Sequence, residues 1–372
     1  MFNIHHIEAI KIIREWLDEV SYSTLNGRMM QFLDQTGQLY PDFMRFMGCV
    51  DRINPLYAFI FSVFRLGQPT ERFYLDSFLP SKVVEALLET GMLIKKDQYY
   101  RMPDIGIIAT RGMYFVTGLP EVYPTVSNKY NPHKPIDQSV LLLMEEIVSQ
   151  PPGADFLEIN ADYGLLANIA AMKGFENIHI IPKHADYTPF IQLNLALNQH
   201  QGSLITEGVS GSYDLITCFN LSVREKIENR NQAITPENDL IRLIPAFRQL
   251  KKTGQAILFL ESIGTKSEIF INEQLKAMCE FNIQSVVISK VLFPAIAMTG
   301  YVQSCWEEQL DLLPNEYIDY IQKTIEVSGN KAFVFTQLIK IDKQKKKEPF
   351  VLYPFYNPKY SDLVYNYASL TI

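Results

Sequence analysis

From Ile136 onward, short apolar runs rich in Ile, Leu, Val and Phe alternate with segments whose apolar residues recur at helical spacing, a rhythm few folds can accommodate. Such runs suit strands buried on both faces, and strands separated by helices pair in parallel because each connection must cross back over the sheet. The expected strands are Asp155 to Ile159, Ile178 to Ile181, Ser203 to Thr206, Tyr213 to Phe219, Gln255 to Glu261, Gln284 to Ser289 and Ala332 to Ile341. Helices are expected near Asp137 to Ser149, Leu165 to Lys173, Thr188 to Gln199, Asp239 to Lys251, Lys266 to Glu280 and Asn315 to Ser328. The predicted fold class is α/β, with a Rossmann-like seven-stranded sheet covered on both faces.

The chain upstream is different. Ile7, Ile10, Ile13 and Leu17, then Met29, Met30, Phe32 and Leu33, recur at helical spacing, so residues 2–64 read as helical. Pro80 opens a further helix, Ser81 to Thr90, which Gly91 stops. Met92 to Ile94 and Tyr99 to Met102 then read as short strands around the polar turn Lys95 to Gln98. This is a helical and winged-helix-like pattern. Its last helix sets Lys82 against Glu85 and Glu89, whereas a helix lying in a major groove presents Arg, Lys, Asn or Gln. A packing or substrate-capping role is expected. A Gly- and Pro-containing connector, Pro103 to Pro135, is expected to carry the domain boundary. The expected units are 1–135, 136–347 and an aromatic-rich tail, 348–372, which follows the basic run Lys343 to Lys347. That tail is expected to pack on the domain, form a homodimer interface or close over a substrate.

A chain of 372 residues exceeds the size at which one core keeps growing, which agrees with more than one unit. Its net charge of -7 gives no global attraction to a phosphate backbone, so no nucleic-acid partner is favoured. Cys49, Cys218, Cys279 and Cys305 form no C-x-x-C pair, which argues against a zinc site or a disulfide framework and for a reducing cytoplasm. The N-terminus reads as an amphipathic helix and not as a signal peptide. The apolar stretch Pro55 to Leu66 falls short of the roughly 20 residues that span a bilayer, so no membrane partner is expected.

The residues that carry chemistry begin at ADFLEINADYGLLANIAA, residues 154–171: a hydrophobic strand with an acidic residue, a tight turn with glycine, then a helix of small residues. Such a turn lets the backbone approach a nucleotide-like ligand at the strand's carboxyl end. It resembles motif I of the class I S-adenosylmethionine (SAM) dependent methyltransferases, E/D-x-G-x-G-x-G, with Glu158, Asn160, Asp162 and Gly164 at the motif positions. Only Gly164 keeps a glycine, but Asn and Asp tolerate the left-handed conformations that glycine otherwise supplies. The helix TPFIQLNLALNQ, residues 188–199, resembles the N-x-x-x-N helix of the release-factor glutamine and small-subunit guanine subgroup, with Asn194 and Asn198 matching.

That resemblance implies SAM as cofactor. It implies that Glu158 engages the methionine amino group, that Asp137 begins a helix over the methionine end, and that Glu207 and Gly208 lie in the adenine loop. The acidic residue that grips the ribose falls at Pro182, whose side chain accepts no hydrogen bond, and Asp186 is the nearby substitute. SYDLITCFNLS, residues 212–222, resembles F-D-L-I-V-S-N-P-P-Y, which places Cys218, Phe219 and Asn220 at the site. The prolines are missing, so the carbonyl clamp used for amide methylation does not carry over.

Methyl transfer from a sulfonium requires orientation and exclusion of water, and no metal. Acceptors that lose a proton need a base, for which His184, Asp186, Glu207, Glu261 and Tyr130 are available. Tyr130, at the connector, and Glu261, at a strand's carboxyl end, rank first. Three readings follow: a methyltransferase acting on a small-molecule, amino-acid-like or natural-product acceptor; a SAM-using enzyme of aminocarboxypropyl-transfer or cyclisation type; and a binding protein on the same fold. A Tyr163 side chain filling the hollow beyond Glu158 would leave only the last.

Overall fold

The computed structural model describes residues 2–24, 54–65, 67–118, 140–205, 209–221, 243–264, 280–294, 331–343 and 350–353, together with Leu275 and Met278. Its N-terminal elements are α1 (Ile7–Glu19), α2 (Pro55–Ile60) with a π-helical turn at Phe61–Arg65, β1 (Thr70–Glu71), α3 (Arg72–Phe78), α4 (Ser81–Glu89), β2 (Ile94–Lys96) and β3 (Tyr99–Arg101). Ala9, Ile10, Ile13, Trp16 and Leu17 form the buried stripe of α1, as the helical spacing requires. β1, β3 and β2 make a small antiparallel sheet in that order.

The connector expected between Pro103 and Pro135 begins instead as a hairpin, β4 (Ile105–Thr110) with β5 (Met113–Gly118), all but two of its strand residues buried. Its two-residue turn is Arg111-Gly112, with φ of 52° and 74°. Positive φ at both central residues is the type I′ geometry whose twist matches that of the paired strands. Arginine is an unusual occupant of the first position, so the turn signal was easy to miss.

The large sheet is built from β6 (Asp155–Ala161), β7 (Asn177–Pro182), β8 (Ser203–Leu204), β9 (Tyr213–Leu221), β10 (Leu250–Gly264), β11 (Asn282–Pro294), β12 (Lys331–Asp342) and β13 (Phe350–Tyr353). Among the described residues it is eight-stranded, in the order β8-β7-β6-β9-β10-β12-β11-β13. β8 through β10 pair in parallel, β12 runs antiparallel to both its neighbours, and β13 is parallel to β11. This is a Rossmann-like sheet with one added edge strand. The winding reverses between β6 and β9, which leaves a topological switch point at their carboxyl ends.

All seven expected strands are present, several of them longer than expected. The helix expected from Asp239 to Lys251 is helical at residues 243–247, and the chain has already entered β10 at Leu250. The strand's first residues lie beside Tyr213, where Lys251 Nζ is 2.6 Å from Asp155 and 2.7 Å from Asp214. The tail expected from Glu348 contributes β13 to the sheet edge, with Phe350 opposite Ile283. The helix expected at Asn315 to Ser328 lies outside the described residues.

The helices α5 (Val140–Ser149), α6 (Leu165–Lys173) and α7 (Thr188–Leu197) follow the expected pattern. One hydrophobic cluster joins Ile13, Phe64, Leu87 and Phe115 of the N-terminal elements to Ile147, Phe156 and Ile191. A second, with Leu157, Ile216, Phe247 and Leu258, covers the other face. At about 1.5–3 kcal/mol for each large apolar side chain buried, these clusters are the main favourable contribution to the fold. Among the described residues no helix is long and apolar enough to cross a membrane.

Candidate functional site

The switch point is shaped by the turn that follows β6. Asn160 has φ 63°, and the pairing of β6 with β7 slips by one residue between Ile159 and Ala161. A left-handed residue at such a slip bends the strand, and asparagine accepts that conformation at lower cost than most residues. The Asn160 amide then donates to the Phe219 carbonyl oxygen at 3.0 Å, tying β6 to β9 across the junction. Gly164, φ 66°, ends the turn as the N-cap of α6; a Cβ there would meet Ile191 Cγ2 at 3.0 Å. Asp162 lies between them, its Oδ1 3.8 Å from Lys183 Nζ.

Glu158 sits behind this turn. Only 4% exposed, its Oε2 accepts the Ala167 N–H at 2.8 Å, serving the first turn of α6, whose N-cap glycine has no side chain to do so. Burial pushes its carboxyl up to about 8, against the Ala167 and Leu166 N–H groups, which favour the charged form, and with the Asp162 charge adding to the rise. At neutral pH the group is largely protonated. The resemblance implies that Glu158 engages the methionine amino group; in the structure its Oε2 also serves the start of α6.

Tyr163 is turned to the α7 side of the turn. Its ring stands edge-on to Tyr187 and Phe190, with centroids 5.4 Å away in each case, and its hydroxyl accepts the Gly118 N–H at 3.1 Å. The side chain that reaches across the β6–β9 junction is therefore Asn160. Asp186 is exposed in the 3-10 turn Ala185–Tyr187, just past Pro182, the last residue of β7. Cys218 and Phe219 are buried in β9, Cys218 opposite Ile159 and Phe219 packed on Phe259 with centroids 5.6 Å apart. Asn220 lies in the same strand. Glu261 pairs with Thr336 inside β10, one residue beyond Leu260, which is opposite Leu221 where β9 ends. Tyr130, Asp137, Glu207 and Gly208 lie outside the described residues. The turn thus brings together Asn160, Asp162, Gly164 and Phe219, while Asp186 stands apart at the end of β7. Among the described residues no group of three or more His, Cys, Asp and Glu side chains could hold a metal ion.

Arg14 was not singled out in the sequence. Arg14 donates to Asn198 Oδ1 at 3.0 Å and to the Gly112 carbonyl oxygen at 2.9 Å, with its guanidinium 4.5 Å from the centroid of the Tyr114 ring. Charge on an amphipathic helix gave no reason to single it out, because its partners are distant in sequence.

No protein-family model matches the chain, and no curated protein matches it. The similar solved structures are consistently class I SAM-dependent methyltransferases. They include the ribosomal protein L11 methylase of Lactobacillus delbrueckii subsp. bulgaricus, 15% identical over 55% of this chain and 77% of that one, with a TM-score of 0.31. The O-methyltransferase of a trans-AT polyketide synthase multienzyme of Brevibacillus brevis, solved with S-adenosyl-L-homocysteine, is 12% identical over 54% and 71%, with a TM-score of 0.32. The tRNA m1G37 methyltransferase of M. jannaschii is 10% identical over 65% and 58%, with a TM-score of 0.36. At these identities and TM-scores the likeness adds nothing to what the strand order already says of the fold.

Proposed function

We propose that the chain is a SAM-dependent methyltransferase acting on a small-molecule acceptor of amino-acid-like or natural-product chemistry. The observation that carries this reading is the bend at the switch point, where left-handed Asn160 and Gly164 do the work of two motif glycines and leave the main chain facing the carboxyl ends of β6 and β9. In this reading Asn160, Asp162, Gly164, Cys218, Phe219 and Asn220 border the cofactor, with Asp186, Glu207 and Gly208 on its adenosine side and Asp137 over its methionine end. Glu158 lies at the methionine end, where it engages the amino group and also holds α6 in place. Bound SAM would supply an electrophilic methyl group on a sulfonium, so the chain's own residues need only orient the acceptor and exclude water. Tyr130 and Glu261 are the candidate bases. The N-terminal helices and small sheet are read as a winged-helix-like unit, in the domain 1–135, that caps the acceptor side.

The overall negative charge supports a small acceptor over a nucleic acid, and the cysteine spacing supports a reducing cytoplasm. Calorimetry with SAM and S-adenosylhomocysteine tests the reading directly: both are expected to bind in the micromolar range, and no heat from either at millimolar concentration would remove it. The lack of Asn-Pro-Pro-Tyr at residues 218–221 keeps a second chemistry in view, aminocarboxypropyl transfer or cyclisation of SAM. Mass spectrometry of the spent cofactor separates the two, since methyl transfer leaves S-adenosylhomocysteine whereas the alternatives leave methylthioadenosine.

A further inference from the structure

Among the described residues the hairpin β4–β5 pairs only with itself, so the edge of β5 away from β4 presents the N–H and C=O groups of alternate residues. Three side chains from beyond β6 take up that edge. Asn198 accepts the Tyr114 N–H at 2.9 Å and donates to its carbonyl oxygen at 2.8 Å. Asn194 does the same for Val116, at 2.7 and 3.1 Å. The Tyr163 hydroxyl accepts the Gly118 N–H at 3.1 Å. A carboxamide carries the same donor and acceptor as a peptide group, so the two asparagines replace a neighbouring strand. The spacing fits: four residues of helix rise about 6.0 Å, and two residues of strand about 6.8 Å.

The lock closes on the turn after β6. Asn194 also donates to the Tyr163 carbonyl oxygen at 3.0 Å, and Tyr163 immediately precedes Gly164. The turn proposed to face the cofactor is therefore hydrogen-bonded, through one side chain and one main-chain group, to the strand that ties in the N-terminal elements.

The geometry points to Tyr163 and Asn194 as positioning residues that couple occupancy of this turn to the seating of the N-terminal hairpin: a ligand that fixes residues 160–164 also fixes the Tyr163 hydroxyl and tightens β5. The coupling rests on the cofactor reading above. Coupling between sites is reciprocal, so a well-seated hairpin also raises affinity at the turn. The cofactor would then organise the acceptor side before the acceptor arrives.

Hydrogen exchange of the full chain with and without saturating S-adenosylhomocysteine, its binding checked by calorimetry, tests this. The amides of Val116 and Gly118 are expected to exchange at least ~5-fold more slowly with ligand, the low end of usual coupling. Tyr163→Phe keeps the ring and removes only the hydroxyl; it is expected to abolish the ligand-dependent protection of Gly118 and weaken S-adenosylhomocysteine by a similar factor. Asn198→Ser opens the same edge at Tyr114, away from the turn, and is expected to speed exchange there, to weaken S-adenosylhomocysteine less than Tyr163→Phe does, and to leave the ligand-dependent protection of Gly118 in place. Binding without any protection of Val116 and Gly118 in the wild-type chain would overturn the coupling and leave the cofactor reading standing. So would full protection in Tyr163→Phe. Absence of binding would overturn both. The wild-type comparison decides even where a variant fails to fold.

Discussion

Glu158 carries the most distinctive electrostatics of any residue near the turn. Its folded-state carboxyl titrates near 8 against an ordinary value of 4.5, so between those values the native chain holds a proton that the unfolded chain has lost. The stability from this group is fully present below about 4.5 and is lost progressively as pH rises to about 8. Asp155 and Asp214 act oppositely. Both are held below the usual carboxylate range, Asp155 chiefly by the Lys251 ammonium and Asp214 by Lys251 and two backbone N–H groups against its own burial. Their contribution is present above 3.8 and lost as pH falls, so the two effects occupy separate windows. Thermal melts should therefore show Tm declining from pH 5 towards pH 8. Glu158→Gln, which still accepts from Ala167 but does not titrate, is expected to flatten that decline, and an unchanged slope would refute the assignment.

Among the elements, the hairpin β4–β5 is the one whose existence depends most on a local feature. Gly112 has φ 74°, and a Cβ there would meet nothing within 4 Å, so a side chain at that position pays only the conformational penalty. Gly112→Ala is expected to cost about 1–2 kcal/mol of unfolding free energy. Its effect should appear in urea titration as a lower midpoint at unchanged slope. A neutral result would mean that the turn relaxes out of type I′ geometry. The loss is predicted to reach beyond the turn, since Arg14 donates to the carbonyl oxygen of Gly112 and links the hairpin to α1 and Asn198.

For the whole molecule, the decisive fact is the hydrophobic cluster that runs from α1 through the hairpin to α7 and β6. Domains that share little surface melt independently, whereas elements sharing one core lose their packing together. Urea unfolding followed by far-ultraviolet circular dichroism and by exchange protection of α1 and β6 is expected to give coincident midpoints. An early transition confined to α1 and α4 would show that the N-terminal elements are a separate folding unit.

Sequence alone was enough for the seven strands. Seven strands and their order along the chain follow from apolar runs and helical spacing, because burial on both faces leaves a local signature in every strand. The turn at Asn160 to Gly164 was legible through its resemblance to motif I and through residue types that tolerate left-handed backbone. The antiparallel placement of β12 between β10 and β11, the recruitment of Phe350–Tyr353 as an edge strand, and the hairpin inside the supposed connector were decided by the tertiary structure. So was the setting of Glu158, whose Oε2 accepts the Ala167 N–H at the start of α6. Each of these depends on partners distant in the chain: an edge strand exists only where another strand's N–H and C=O groups wait for it, and a carboxyl's charge is set by whatever surrounds it once the chain has closed.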